Sequence, residues 1–270
     1  MDSGIIYPVN PVLNSYVDYY WYLRTGNKEK CGQTILPPEP CSDILLSFAG
    51  PTSFETSDKR EVRLNSSFLL TIRKQRYLVT SRERIDYLAI RFKPHALYNF
   101  IHFPVSELAS TCTLEMNLLD KSFWNDVTEK ISAIDEMNQR IILLESELVK
   151  QLRPLTNPDD ERIMKYFIQK INASSGRLNI SSLAEQSGVG EKKLERMFKK
   201  YVGTAPKLYS RIVRFTNLFN YLNTRPASVD WADVVNNYGY FDQSHMIKEF
   251  SGYTGYSPEN YLRVIDDLCS

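Results

Sequence analysis

Basic side chains are concentrated in one short stretch of this 270-residue chain. Residues 177–214 contain nine lysines and arginines against three acidic residues, a net charge of +6, whereas residues 1–157 carry 18 basic and 19 acidic residues. A local cationic surface attracts polyanions such as the phosphate backbone of DNA. The whole-chain charge of +1 therefore conceals one segment with the composition of a nucleic-acid-binding surface.

A predicted helix over Glu191–Tyr201 carries seven of the twelve charged residues of this segment, most of them on one face. Leu194, Met197 and Phe198 share the opposite, apolar face. Long cations donate to guanine, glutamate accepts from the amino group of cytosine, and lysines such as Lys199, Lys200 and Lys207 are suited to phosphates. We predict DNA contacts from Glu191, Lys192, Lys193, Glu195, Arg196, Lys199, Lys200 and Lys207.

The residues before this helix have the spacing of a helix-turn-helix. A small residue, Ala184, allows two helices to cross closely, and Gly188, four residues later, suits a turn in the left-handed region. Leu183 and Val189 are apolar, as are the inward positions of the second helix, and they can fill the angle between the helices. This pattern predicts that Glu191–Tyr201 is a recognition helix.

The same unit is repeated 52 residues later. The frame F-x-x-Y-x-G-x-x-P-x-x-Y-x-R occurs at residues 198–211 and again at 250–263, which indicates that one supersecondary unit was built twice. In the second copy Gly239 occupies the turn, whereas Val235 replaces the small residue. Its predicted DNA contacts are Asp242, Gln243, Ser244, His245 and Lys248, of which Gln243 is suited to adenine.

These motifs resemble the C-terminal DNA-binding domain of the AraC family of bacterial transcription regulators. The resemblance extends from about Ile180 to Arg263 and is carried by S-L-A-E-x-x-G-V, G-T-A-P-K-L-Y-S-R and G-Y-F-D-Q-S-H-M-I-K-E-F. Departures from the family pattern include Val235, Phe215 and Met246. The resemblance implies two helix-turn-helix units, joined by a long helix at Lys207–Asn223, that enter successive major grooves ~34 Å apart.

The first half of the chain has the pattern of a β-rich domain. Strands are predicted at Tyr16–Leu23, Asp43–Phe48, Phe68–Ile72 and Ile85–Phe92, and helices at His95–Phe103, Ser106–Ala109 and Asn138–Leu152. We therefore predict an α+β chain of two domains. The strand pattern indicates a small antiparallel β-barrel or sandwich with flanking helices in residues 1–155, and the family resemblance implies that this domain is cupin-like. Residues 156–270 form an all-α domain of two helix-turn-helix units joined by a long helix. Asp159 and Asp160 are predicted to cap the first helix after the boundary.

We expect the first domain to be a sensory or dimerisation domain. The stretch IDYLAIRFKPHALYNFIHFPVSEL is similar to the end of one such domain type in regulators of this family. Aromatic residues either line a cavity for a small-molecule effector or fill the core, and we favour filling for most of Tyr16, Tyr20, Trp21, Tyr22 and Tyr87. The helix at Asn138–Leu152 either pairs with its copy in a homodimer or packs on its own domain.

The cysteines and histidines argue against enzyme chemistry and a metal site. Cys31, Cys41, Cys112 and Cys269 are scattered, and the three histidines lack ligand spacing. We therefore expect no enzyme activity, no metal and no cofactor. Two alternatives remain open: a DNA-repair methyltransferase with the same DNA-binding domain, and a module that binds another protein through the helix-turn-helix fold.

The expected partners are duplex DNA, an effector if one exists, a second copy of the chain, and RNA polymerase if the protein is an activator. No apolar run approaches the ~18 residues of a membrane span, and the N-terminus lacks a signal-peptide pattern. We expect a cytoplasmic protein without a membrane partner.

Overall fold

The computed structural model describes residues 2–25, 33–49, 52–56, 61–64, 67–80, 84–108, 113–115, 117–224 and 228–267. Antiparallel strands dominate the first part of the chain. They are β1 (Asp2–Ile6), β2 (Val17–Arg24), β3 (Gln33–Leu36), β4 (Ser42–Ser47), β5 (Thr52–Thr56), β6 (Glu61–Leu64), β7 (Phe68–Leu70), β8 (Tyr77–Thr80), β9 (Asp86–Phe92) and β10 (Thr113–Glu115). The four predicted strands are found as β2, β4, β7 and β9, within two residues at each end.

The strands form two sheets, ordered β1-β2-β9-β4-β7-β10 and β3-β8-β5-β6. Both faces of the larger sheet are covered, so burial in β4 and β9 does not alternate along the strand, and each strand has an apolar centre. Leu88 and Ile90 of β9 belong to a core shared with helices, whereas Tyr87 and Ala89 belong to a core shared with the smaller sheet. The predicted β-rich domain with flanking helices is confirmed.

The helices of the first domain are α1 (Tyr98–Ile101), α2 (Asn117–Ser132) and α3 (Met137–Gln151), with 3₁₀ turns at Leu13–Ser15 and Val105–Glu107. The predicted helix at His95–Phe103 is therefore shorter than expected, and α2 was not predicted. Ile141, Leu144 and Leu148 of α3 are buried in the core of their own domain. The apolar stripe of α3 thus packs on its own domain, in the core that also contains residues of the larger sheet.

Three of the five aromatic residues considered for a cavity fill the core. Tyr16, Tyr20 and Tyr87 are buried, whereas Trp21 and Tyr22 are partly buried. Burial raises the pKa of the Tyr20 hydroxyl well above its usual value, because the surroundings disfavour the phenolate. Most of these five rings therefore fill the core of the domain.

The last part of the chain is helical. Its helices are α4 (Pro158–Ala173), α5 (Ile180–Gln186), α6 (Glu191–Val202), α7 (Pro206–Asn223), α8 (Trp231–Tyr238), α9 (Gln243–Thr254) and α10 (Pro258–Asp267). The N-cap of α4 is Asn157, whose side chain accepts from Asp159 N at 3.1 Å. Asp159 and Asp160 therefore lie inside the first turn and do not cap the helix as predicted.

Helix α7 connects two separate cores. Its N-terminal half contributes Tyr209 and Ile212 to a core with α4, α5 and α6, and its C-terminal half contributes Phe215 and Leu218 to a core with α8, α9 and α10. The first of these cores also contains Ile72 of the β-rich region. The division at residue 155 stays a prediction.

His95 is a buried histidine between the β-rich region and α4, and both of its ring nitrogens lack a hydrogen-bond partner among the described residues. Burial, together with Lys165 and Lys93 and against the opposing effect of Glu161, lowers its pKa to about 4. Because the folded pKa lies below the unfolded value of about 6.5, neutral His95 favours folding above pH 6.5, and this contribution is lost as the pH falls towards 4.

We expect the His95→Leu variant to lose part of the acid sensitivity of the native chain. Between pH 7 and pH 4.5 the free energy of unfolding of the native chain should fall by up to about 3 kcal/mol more than that of the variant. Urea unfolding at several pH values measures this difference. Parallel pH profiles for the two proteins would contradict the assignment. His102→Leu is the matched control.

Candidate nucleic-acid interface

The first helix-turn-helix consists of α5, a tight turn and α6. Gly188 in the turn has φ = 68°, in the left-handed region that favours glycine. Ala184 is buried where the helices cross, and Leu194, Met197 and Phe198 of α6 are buried beneath them. The small residue, the turn glycine and the apolar positions that identified this unit in the sequence have these roles in the structure.

The opposite face of α6 is exposed and charged. Glu191, Lys192, Lys193, Glu195, Arg196 and Lys199 are exposed, as is Lys207 in the first turn of α7. Lys199 Nζ lies 2.8 Å from Glu195 Oε1, and the hydrogen bond from Lys199 lowers the pKa of Glu195. All seven side chains are thus exposed to solvent.

Lys200 is placed differently from the other predicted contacts. It is half-buried, and its Nζ lies 5.0 Å from the ring centre of Tyr98 and 4.8 Å from that of Tyr201. Tyr98 belongs to α1 of the β-rich region, so Lys200 points towards that region. Cation–π contacts of this kind hold an ammonium group with modest strength, and a phosphate contact from Lys200 requires its release from these rings.

The second helix-turn-helix consists of α8, a turn at Gly239 with φ = 69°, and α9. The five predicted contacts Asp242, Gln243, Ser244, His245 and Lys248 are all exposed at its N-terminal half. Two of them also stabilise the local backbone. Asp242 is the N-cap and accepts from His245 N at 2.7 Å, and Phe241 N donates to His245 Nδ1 at 3.4 Å.

The sequence prediction missed two exposed apolar residues of this unit, Phe241 and Ile247. Phe241 is 90% exposed, and Ile247 is 37% exposed. The sequence does not distinguish Tyr240, which is buried, from Phe241, because two adjacent aromatic residues follow the turn glycine. Only the helix-capping geometry shows which ring points outward.

A buried ion cluster fixes the second recognition helix to the joining helix. Glu249 of α9 accepts from Arg211 Nε at 2.9 Å and from Arg214 Nε and Nη2, with Arg214 Nη2 2.9 Å from Oε2. The side chain of Glu249 is 2% exposed and that of Arg214 12%. Both arginines belong to the cationic segment of the sequence, but they pair with Glu249, so the surface offered to DNA is less basic than the net charge of +6 indicates.

We expect Glu249→Ala to destabilise the chain by about 3–5 kcal/mol, because it leaves the partly buried cation of Arg214 without its partner. The matched control is Glu259→Ala, which removes an exposed i,i+4 pair with Arg263 and should cost below about 0.5 kcal/mol. Thermal unfolding followed by circular dichroism compares the two variants. Equal stability losses would show that the buried cluster contributes no more than a surface pair.

The exposed stripe of α6 forms one wall of a cleft against the β-rich region. The cleft has a volume of about 580 Å³. Its walls are Pro104, Ser106 and Glu107 on one side and Lys192, Glu195, Arg196, Lys199 and Lys200 on the other. A recognition helix that enters the major groove, which is about 12 Å wide, has a phosphate backbone of the duplex on each side. In this arrangement the 3₁₀ turn at Val105–Glu107 occupies part of that space.

Direct contacts hold the two walls of the cleft together. The rings of Tyr98 and Tyr201 meet edge to face, with centres 5.0 Å apart. Gly203 ends α6 with φ = 88°, and a Cβ at this position would lie 2.9 Å from Val105 Cγ1. The second unit is also tethered, because Arg76 Nη1 donates to Thr254 O at 2.5 Å, at the C-terminal end of α9.

Glu39, Cys41 and Asp43 are the one group of potential metal ligands found among the described residues. Their ligand atoms lie within 4.8 Å of one another. However, Arg91 Nε lies 2.8 Å from Asp43 Oδ1, and Arg73 contacts Glu39. Burial also raises the pKa of the Cys41 thiol, which opposes the thiolate that metals require. This group is an ion-pair network and a poor metal site. Cys31, Cys112 and Cys269 lie outside the described residues.

Comparison with known families identifies the helical part of the chain. Residues 183–263 match the model of a family described as a helix-turn-helix domain. The matched segment contains both helix-turn-helix units. Residues 6–113 match a family described as a domain of unknown function. A search of curated proteins finds no match.

Several solved structures are similar to this chain. ToxT from Vibrio cholerae has 12% sequence identity and a TM-score of 0.46, with 90% of this chain and 97% of ToxT covered. ToxT with a bound unsaturated fatty acid, from strain SCE256, has 13% identity and a TM-score of 0.47, with 89% and 94% covered. The AraC-like transcriptional activator CuxR has 15% identity and a TM-score of 0.27, with 81% and 86% covered. In the described part of the chain no helix has the length and hydropathy of a membrane span.

Proposed function

We propose that this protein is a sequence-specific transcription regulator that binds duplex DNA with both helix-turn-helix units. The observation that carries the proposal is the exposed stripe of Lys192, Arg196 and Lys199 on α6, within the segment that matches the helix-turn-helix family. The second unit presents Gln243, Ser244 and Lys248 on the corresponding helix. We assign affinity mainly to the first unit, because residues 230–263 carry two basic and five acidic residues, a net charge of −3.

The proposal includes a role for the β-rich domain. Since that domain forms the second wall of the cleft against α6, binding in the major groove requires the two to separate. We assign to it the restriction of the first unit until a small-molecule effector shifts the equilibrium towards the open form. A second copy of the chain and RNA polymerase, if the protein is an activator, complete the proposed partners.

The two competing functions have less support. A methyltransferase needs a nucleophilic thiolate, whereas the pKa of the half-buried Cys41 thiol is raised. A module that binds proteins would not need the row of exposed cations on α6. We therefore favour DNA binding over both.

Selection from a random duplex library by the full-length chain tests the proposal. The expected result is an asymmetric site with two conserved blocks about ten base pairs apart, and binding that weakens steeply with salt. If no sequence is enriched and only weak, salt-sensitive binding remains, the regulator proposal is wrong and a protein-binding module becomes the better explanation.

A further inference from the structure

Phe241 is the most exposed large apolar side chain of the described residues, at 90%. It lies two residues before α9, at the end of the helix that a helix-turn-helix directs into the major groove. An aromatic ring in water is unfavourable unless a partner covers it. The position of Phe241 therefore indicates a contact that is made only in a complex.

The local structure holds Phe241 in this exposed position. The preceding residue, Tyr240, is buried, and Arg214 Cζ lies 4.6 Å from its ring centre. The following residue, Asp242, caps α9, and His245 accepts from the backbone N–H of Phe241 while its ring packs against Tyr240. With both neighbours fixed, the Phe241 side chain cannot turn into the core without breaking the cap.

A second exposed apolar residue, Ile247, lies within α9 itself. Ile247 follows Gln243 by four residues and Ser244 by three, so these three side chains share one face of α9. The exposed face of the second recognition helix thus combines apolar groups with two hydrogen-bonding side chains. The first recognition helix differs, because its exposed face consists of charged residues.

We propose that Phe241 reads thymine, by packing its ring against the 5-methyl group at one position of the second half-site, with Ile247 extending the apolar contact. The methyl group of thymine is the apolar feature that base pairs present in the major groove. The net charge of −3 on residues 230–263 makes phosphate attraction weak in this unit, so apolar base contacts have more weight there. The inference rests on the proposed function, since it assigns a base preference to the same interface.

Replacement of thymine by deoxyuridine tests this inference, because the substitution removes only the methyl group. Each thymine in the second block of the selected site is replaced singly, and binding by the full-length chain is measured by fluorescence anisotropy. We expect one position at which deoxyuridine weakens native binding roughly fourfold, as for loss of one buried methyl group. Phe241→Ala should weaken binding to the thymine site roughly tenfold and show no difference between thymine and deoxyuridine.

Two further variants complete the design. Phe241→Leu keeps an apolar side chain and should retain part of the deoxyuridine effect. Ile142→Ala removes another exposed apolar residue, 55% exposed on α3, and should bind as the native chain does.

Three results would overturn the inference. If native binding is equal on thymine and deoxyuridine at every position, or if Phe241→Ala binds as the native chain does, Phe241 does not read thymine. If Phe241→Ala binds DNA normally but loses transcription activation with purified RNA polymerase, the ring contacts protein. A native chain that selects no DNA site would instead overturn the proposed function itself.

Discussion

A chain in which Lys192, Arg196 and Lys199 are all replaced by alanine is expected to bind its selected site about a hundredfold more weakly than the native chain. The three side chains form one exposed stripe on α6, to which Arg211 and Arg214 do not add because they pair with Glu249. The plot of log affinity against log salt has a negative slope, and each lost phosphate contact reduces the magnitude of that slope by about 0.9. The slope should therefore fall by up to about 2.7.

The matched control removes the same charge from another helix of the same region. Arg162, Lys165 and Lys170 of α4 lie outside the segment that matches the helix-turn-helix family, so their triple replacement by alanine should leave the salt slope unchanged. Lys248→Ala in the second unit should lower the slope by no more than about 0.9. Equal losses from the α6 and α4 triples would show that affinity follows total charge, and that α6 has no special position on the duplex.

Local constraints of the helical half could be predicted from the sequence. Gly188 and Gly239 adopt the left-handed turn that their spacing indicated, and α7 extends over Pro206–Asn223 where a helix over Lys207–Asn223 was predicted. These features depend on residues that are close in sequence, and the helix-turn-helix pattern occurs twice in the chain. All of the predicted site residues except Lys200 are exposed, and this exposure follows from the same helical period.

The features that the sequence did not predict depend on contacts between distant segments. Arg214 and Glu249 are 35 residues apart, and no local pattern distinguishes these arginines from cations directed at solvent. The same holds for Lys200, which has the spacing of a phosphate contact but lies against Tyr98, and for α2, whose burial is determined by the larger sheet. Phe241 is a different case, because its outward orientation depends on which of two adjacent rings the cap at Asp242 leaves free.

Glu107→Lys is expected to raise the affinity of the full-length chain for its site by about tenfold, or ~1.4 kcal/mol. Glu107 is exposed on the wall of the cleft that faces Lys192, Arg196 and Lys199. A cation at this position repels that stripe, so the closed arrangement loses stability relative to the open one. The apparent affinity of a protein that must open before binding rises with its open fraction.

A charge change in the opposite sense should have the opposite effect. Ser106 is exposed on the same wall, and Ser106→Glu adds an attractive charge that should favour the closed form and weaken DNA binding. Glu129→Lys makes the same charge change as Glu107→Lys but on α2, away from the cleft, and it controls for the effect of net charge on affinity.

Small-angle scattering without DNA separates opening of the cleft from a direct contact of residue 107 with phosphate. If the cleft restricts α6, Glu107→Lys should have a larger radius of gyration than Glu129→Lys and should bind more tightly. Tighter binding at an unchanged radius would indicate that the new lysine touches DNA and that the β-rich domain does not restrict the first unit. Equal affinities for the two lysine variants would lead to the same conclusion, and the effector would then have to act on a step other than access to α6.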